Sequence, residues 1–136
     1  EQEMLLACGH RHVDFAAELE KLRTHFGAKA GWLTRGAVKT IGLDQHGYSA
    51  VCPPLGDDIT DTIGAGDAFF SVVSLAARSG LPVDITTFLG QLAGAQAVKI
   101  VGNREPISKA VLLKSGMALL MMIGVVALLV AIIIEG

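Results

Sequence analysis

Asp61-Thr62-Ile63-Gly64-Ala65-Gly66-Asp67-Ala68-Phe69-Phe70 (DTIGAGDAFF) is the stretch on which the reading of this chain turns. Gly64, Ala65 and Gly66 carry the least side-chain bulk that a chain can offer, and they stand immediately before a helical pattern. Their backbone N–H groups can converge on one point with no side chain in the way. A helix start adds unpaired donors and the positive end of the peptide dipoles. Together these make a cradle for an anion, either a phosphate or the charge that develops when one is transferred. Asp67 would stand at the lip of that cradle, where its carboxylate can accept a proton from an attacking hydroxyl. A bare Gly-x-Gly-Asp is more often a flexible loop whose Asp caps a helix, so the surroundings must decide.

Upstream, residues 14–26 place Phe15, Leu19, Leu22 and Phe26 at helical spacing, with Asp14 as N-cap and Gly27 as stop. Residues 30–34 read as a short buried strand containing Trp32, a core candidate, and closed by an Arg35-Gly36 turn. Two more strands, 38–43 and 48–52, flank the polar loop Asp44-Gln45-His46-Gly47, and Pro53-Pro54 ends the ribbon because proline cannot donate to a ladder. Downstream, a helix over 66–78 stops at Ser79-Gly80 and Pro82. Asp84 is the expected cap of a helix over 85–101, which ends at Gly102-Asn103, and a last helix starts near Pro106. This order suits an α/β sandwich in which helices cover a mostly parallel sheet. Three candidate strands make a thin sheet for an independent domain.

The longer string weighs against the capping alternative. Asp-Thr-x-Gly-Ala-Gly-Asp followed by Ala68-Phe69-Phe70 closely resembles the second signature of the ribokinase/PfkB carbohydrate kinase family. The strand ending in Thr34-Arg35-Gly36, and Ala93 to Val98 followed by Gly102-Asn103-Arg104-Glu105-Pro106, extend the likeness over residues 12–114. The resemblance implies a ribokinase-like, Rossmann-type three-layer α/β sandwich of which this is the C-terminal part. Residues 1–114 would be the nucleotide-binding part; 115–136 reads as a long apolar helix, a departure from the mixed, charged helix that the family would place there. The resemblance implies ATP-dependent phosphoryl transfer, with Mg2+, to a sugar or sugar-phosphate hydroxyl. Asp67 would be the base, Gly64, Ala65 and Gly66 the anion hole, Thr34 and Gly36 neighbours of the ATP phosphates or ribose, and Gly102 a neighbour of the nucleobase. Asp61 and the Ile63 carbonyl match two ligands of the potassium ion that many members bind. Arg35, in the turn, is a candidate phosphate contact by its guanidinium chemistry or else a solvated turn residue.

The chain also departs from the family. Lys39 stands where a second glycine of the turn is usual, and Val72 where a smaller residue is preferred. The sugar-binding residues and the magnesium-linked Asn-x-x-Glu element are not found in these residues. The expectation is therefore that the chain belongs to a larger parent and is weak or inactive alone, the alternative being a non-catalytic nucleotide-binding or structural remnant, with its apolar tail a candidate membrane anchor. Which sugar is involved is not written in these residues.

The 136 residues allow one small domain, and 11 basic against 13 acidic residues give a net charge of −2, which offers no field for nucleic acid. The resemblance implies ATP or ADP and a sugar as ligands, with a homodimer as one candidate assembly. Cys8 and Cys52 are far apart and expected as reduced thiols. Glu1-Gln2-Glu3 has none of the basic character of a signal peptide, so a cytoplasmic protein is expected, and the lack of a starting Met suggests a fragment. His10, His12, His25 and His46 have no metal-ligand spacing and are expected at the surface, as are Lys109 and Lys114. The tail at 116–134 (GMALLMMIGVVALLVAIII) carries no charge over 19 residues, long enough for the ~18-residue test of a membrane span. A membrane-associated helix, a helix packed on the domain or on a partner, and a segment foreign to the rest of the chain all remain open.

Overall fold

In the computed structural model, residues 1–9, 14–55, 64–99, 106–118 and 121 are described. Helix α1 (Gln2–Cys8) is followed by α2 (Phe15–His25), β1 (Ala30–Thr34), β2 (Thr40–Asp44), β3 (Ser49–Cys52), α3 (Ala65–Arg78) and α4 (Val83–Ala97). Residues 109–118 are also helical.

Asp14 caps α2 as its sequence position demands: its Oδ1 accepts from the backbone N–H of Ala16 at 3.1 Å and of Ala17 at 3.3 Å. The chain leaves the helix through Gly27, whose φ of 62° is a left-handed value that costs glycine little. Phe26 does not join the expected apolar stripe. It falls at the C-cap, after the last helical turn, and lies 76% exposed.

The three strands form one sheet in the order β1-β2-β3, antiparallel at both joints, with Trp32 opposite Gly42 and Thr40 opposite both Thr34 and Cys52. The mostly parallel sheet expected from the element order is not found among the described strands. Links of five and four residues are too short for the crossover that a parallel pair needs. Strand β2 also starts at Thr40, two residues later than read, because the Val38 N–H is taken by the Arg35 carbonyl to close the turn. The second turn follows its sequence: Asp44 Oδ1 accepts from the N–H of His46 and Tyr48, and Gly47 has φ 80°.

Alternation along the strands separates two faces. Leu33, Ile41 and Leu43 are buried with Met4 of α1 and Leu19 of α2. The other face carries Trp32, Thr34, Thr40 and Gly42 and meets α4. There Trp32 Nε1 donates to Thr87 Oγ1 at 2.9 Å and Thr40 Oγ1 donates to Gln91 Oε1 at 2.9 Å. Helices thus flank both faces, and α3 packs on α4. Gly42 and Gly90 permit the closest approaches. A Cβ at Gly42 would collide with Thr87 Oγ1 and the Trp32 indole, and one at Gly90 with Val73 and the Phe69 ring. Trp32 is accordingly half-buried core with its N–H satisfied, the usual arrangement for a buried indole.

Helix α4 begins at Val83 after an N-cap at Pro82, two residues ahead of the expected start. Asp84 lies inside its first turn and is not the cap; its Oδ1 accepts only the adjacent Ile85 N–H, at 2.9 Å. The segment 109–118 lies against α4, where Gln96 Nε2 donates to Ser115 Oγ at 3.2 Å. Among the described residues no helix is long and apolar enough to cross a membrane. Most of the apolar tail, including 122–136, lies outside the described residues.

Candidate active site

Helix α3 has Gly64 as its N-cap, with φ 85° and ψ −7°, a left-handed backbone that residues with a side chain adopt only at a cost. Gly64 has no side chain to cap this end. The first intrahelical bond runs from Ala68 N–H to the Gly64 carbonyl at 2.9 Å, so the N–H groups ahead of it have no partner inside the helix. Among the described residues, a Cβ built on Gly66 meets no atom within 4 Å. Asp67, the third helical residue, is exposed. Its backbone carbonyl accepts from Ser71 Oγ at 2.8 Å, and it does not serve as the helix cap.

Beside this helix start lies a cavity of about 340 Å³, near the small end of the usual range for ligand sites. Ala65 and Gly66 form one wall, Thr34, Gly36 and Ala37 of the β1–β2 turn another, and Thr40, Gln91 and Phe69 contribute to the rest. Sequence reasoning placed Thr34 and Gly36 in one string and Gly64 to Gly66 in another, some thirty residues on. The fold brings Thr34 and Gly36 of the first and Ala65 and Gly66 of the second to one cavity, whereas Gly64 does not line it. The strand alternation explains how: Thr34 and its partner Thr40 project on the face toward α4, and α3 packs on that same helix.

Arg35 goes elsewhere. Its Nε donates to Glu1 Oε2 at 2.7 Å, and its guanidinium lies 4.1 Å over the centre of the Phe15 ring, on the side of the sheet covered by α1 and α2. The Arg35 hydrogen bond, with its positive charge, holds the Glu1 carboxyl below its ordinary value against the opposing effect of burial. Gly102, Asp61 and Ile63 lie outside the described residues, as do His10 and His12. His25, His46, Lys109 and Lys114 are exposed, as expected. Among the described residues no group of three His, Cys, Asp or Glu side chains could hold a metal ion. Cys8 and Cys52 are free thiols, as expected.

The Thr40–Gln91 pair escaped the sequence reading. Thr40 is 1% exposed and gives its hydroxyl proton to the Gln91 side-chain carbonyl, which fixes the amide and leaves the Gln91 NH2 as the remaining donor group of that side chain in the cavity wall. The available signal was indirect: Thr40 is a polar residue at a strand position facing the same way as Thr34 across a tight turn. The residues flanking it gave no such hint for Gln91, 51 positions away.

The architecture places the chain among ribokinase-like α/β folds. Solved structures sharing it are carbohydrate kinases of the PfkB type. Phosphofructokinase-2 from Escherichia coli in complex with potassium aligns with a TM-score of 0.68 and 18% identity over 76% of this chain and 34% of its own. A putative ribokinase II from E. coli, in its apo form, gives 0.64 and 24% over 79% and 33%. The 2-dehydro-3-deoxygluconokinase of Thermotoga maritima gives 0.65 and 17% over 84% and 38%. The chain thus spans little more than a third of the length of these relatives. A scan against protein-family models and a search of curated proteins give no match.

Proposed function

We propose that this chain carries the nucleotide side of an ATP-dependent sugar kinase. The observation that carries the reading is the shared cavity: Thr34 and Gly36 from the turn, and Ala65 and Gly66 from the helix start, line one space. The residues fit a phosphate, since N–H donors at a helix start favour an anion and no described residue crowds the Cβ position of Gly66. Apolar wall residues such as Phe69 and Val98 suit the face of a nucleobase, and the Gln91 amide suits its polar edge.

In this reading the N–H groups from Gly64 to Gly66 stabilise the charge that builds on the transferred phosphoryl group, and Asp67 takes the proton of the attacking hydroxyl. Magnesium, bound with the nucleotide, would neutralise phosphate charge. No described side chain is assigned to hold it. A sugar or sugar-phosphate hydroxyl is the acceptor suggested by the kinases that share the fold. Because the chain matches about a third of their length, turnover by these residues alone is expected to be slow or nil.

Calorimetry with ADP tests the reading. Micromolar-range binding that disappears in Gly66→Val supports it. A folded chain that binds no ADP overturns it and leaves the alternative of a structural remnant.

A further inference from the structure

The turn that lines the cavity is held from the opposite side of the sheet. Glu1 reaches it through its side chain, whose Oε2 accepts from Arg35 Nε at 2.7 Å. The Arg35 guanidinium is pressed on Phe15, which packs against the core of Met4, Leu19, Leu33, Ile41 and Leu43. The Arg35 and Glu1 side chains retain only 19% and 35% of their exposure, so the pair is better shielded from salt than an ordinary surface bridge. Within the turn, Arg35 N–H donates to the Lys39 carbonyl and Val38 N–H to the Arg35 carbonyl, both at 2.9 Å. Two residues of this turn, Gly36 and Ala37, are cavity wall, and Gly36 has φ 51° with nothing within 4 Å of where its Cβ would be. The turn's own hydrogen bonds at Arg35 and Val38 hold its backbone, and support from outside the turn comes through the Arg35 side chain.

We propose that Arg35, clamped between Glu1 and Phe15, is a positioning residue that pre-organises the turn 34–37 for the nucleotide, so that affinity on one face of the sheet is set partly by α1 and α2 on the other. This rests on the nucleotide reading above. A turn ordered in advance loses less freedom when ligand binds, and displacements of about an ångström matter at such contacts.

Two measurements test it, on the same protein and its Arg35→Ala, Phe15→Leu and Leu43→Val variants. Amide hydrogen exchange of the ligand-free chain reads the turn directly. Arg35→Ala is expected to speed exchange at positions 35 and 38 by about tenfold over any change in the core strands, with Phe15→Leu in the same direction. ADP calorimetry reads the consequence, a loss of about tenfold for Arg35→Ala and about threefold for Phe15→Leu. Leu43→Val, in the core but away from the turn, is expected to lower the melting temperature while leaving ADP affinity within about twofold. Unchanged exchange at 35 and 38, or equal ADP affinity in Arg35→Ala, overturns the proposal, as does a loss in Leu43→Val matching that in Arg35→Ala. If the unmutated chain binds no ADP, the nucleotide reading fails and this positioning role fails with it, whereas binding that Arg35→Ala leaves intact sinks only the positioning role.

Discussion

Gly90→Ala is a perturbation whose sign the structure reverses. Gly90 is in the interior of α4, where replacing glycine by alanine ordinarily stabilises a helix by about 1 kcal/mol. Here the added methyl would overlap Val73 Cγ2 and lie 2.7 and 2.9 Å from two carbons of the Phe69 ring. Both neighbours are buried, at 3% and 6% exposure, and neither is the free end of a flexible chain. Overpacking of this kind costs roughly 1–3 kcal/mol, and with two buried partners forced to shift the upper half of that range applies. Setting ~2–3 kcal/mol against the ~1 kcal/mol helix gain leaves a net loss of ~1–2 kcal/mol, or a fall in melting temperature of roughly 4–8 °C. Thermal unfolding followed by circular dichroism, beside Gly66→Ala, makes the measurement. Gly66 is also helical but meets no atom within 4 Å, so its variant should match or exceed the parent in stability. If Gly90→Ala is as stable as the parent, α3 and α4 do not approach as described, and the Phe69 wall of the cavity is misplaced with them.

On the proposed reading, Asp67→Asn should leave ADP affinity within about threefold while abolishing any phosphoryl transfer by the parent protein, checked by product assay, because only the proposed proton-accepting role is removed. Gly42→Ala should destabilise by ~2 kcal/mol or more, since the methyl displaces the Trp32 indole from Thr87 Oγ1; a blue or red shift of tryptophan emission reports the loss. Glu20 is held below its ordinary value of 4.5, first by its hydrogen bond from Arg23. With the folded value below the unfolded one, that contact's contribution is whole above about 4.5 and disappears as pH falls through the lower folded value. Melting temperature should therefore drop more steeply below that pH in the parent than in Glu20→Gln. Burial pushes both thiols upward, with Glu18 adding to the effect at Cys8, so alkylation near neutral pH should be slow at Cys8 and slower at the buried Cys52, as mass spectrometry can follow.

Much of this was legible in the chain because it is decided over a few residues. The Asp14 cap, the Asp44–Gly47 turn and the start of α3 at Gly64-Ala65-Gly66 each depend on hydrogen bonds or backbone angles within about one turn of chain, and the structure has all three. The candidate chemistry was legible for the same reason, since the string from Gly64 to Asp67 is a local device. Errors at the start of β2 and of α4 came from competition at element ends, where the Arg35 carbonyl captured Val38 and Pro82 took the cap that Asp84 was assigned.

What the sequence by itself determined is thus most of the elements, α1 excepted, and the local string from Gly64 to Asp67 that opens α3. Only the tertiary structure decided which of those pieces share a space. Thr40 with Gln91 and Trp32 with Thr87 are pairs more than fifty residues apart, and no local propensity encodes them. Strand pairing put Thr34 and Thr40 on the face toward the cavity, while the next residue, Arg35, turned to Glu1 and Phe15 on the other face. The physical reason is that burial and close approach are properties of two surfaces together: Gly42 and Gly90 read as weak points in a strand and a helix until the partners that fill their missing side chains are in place.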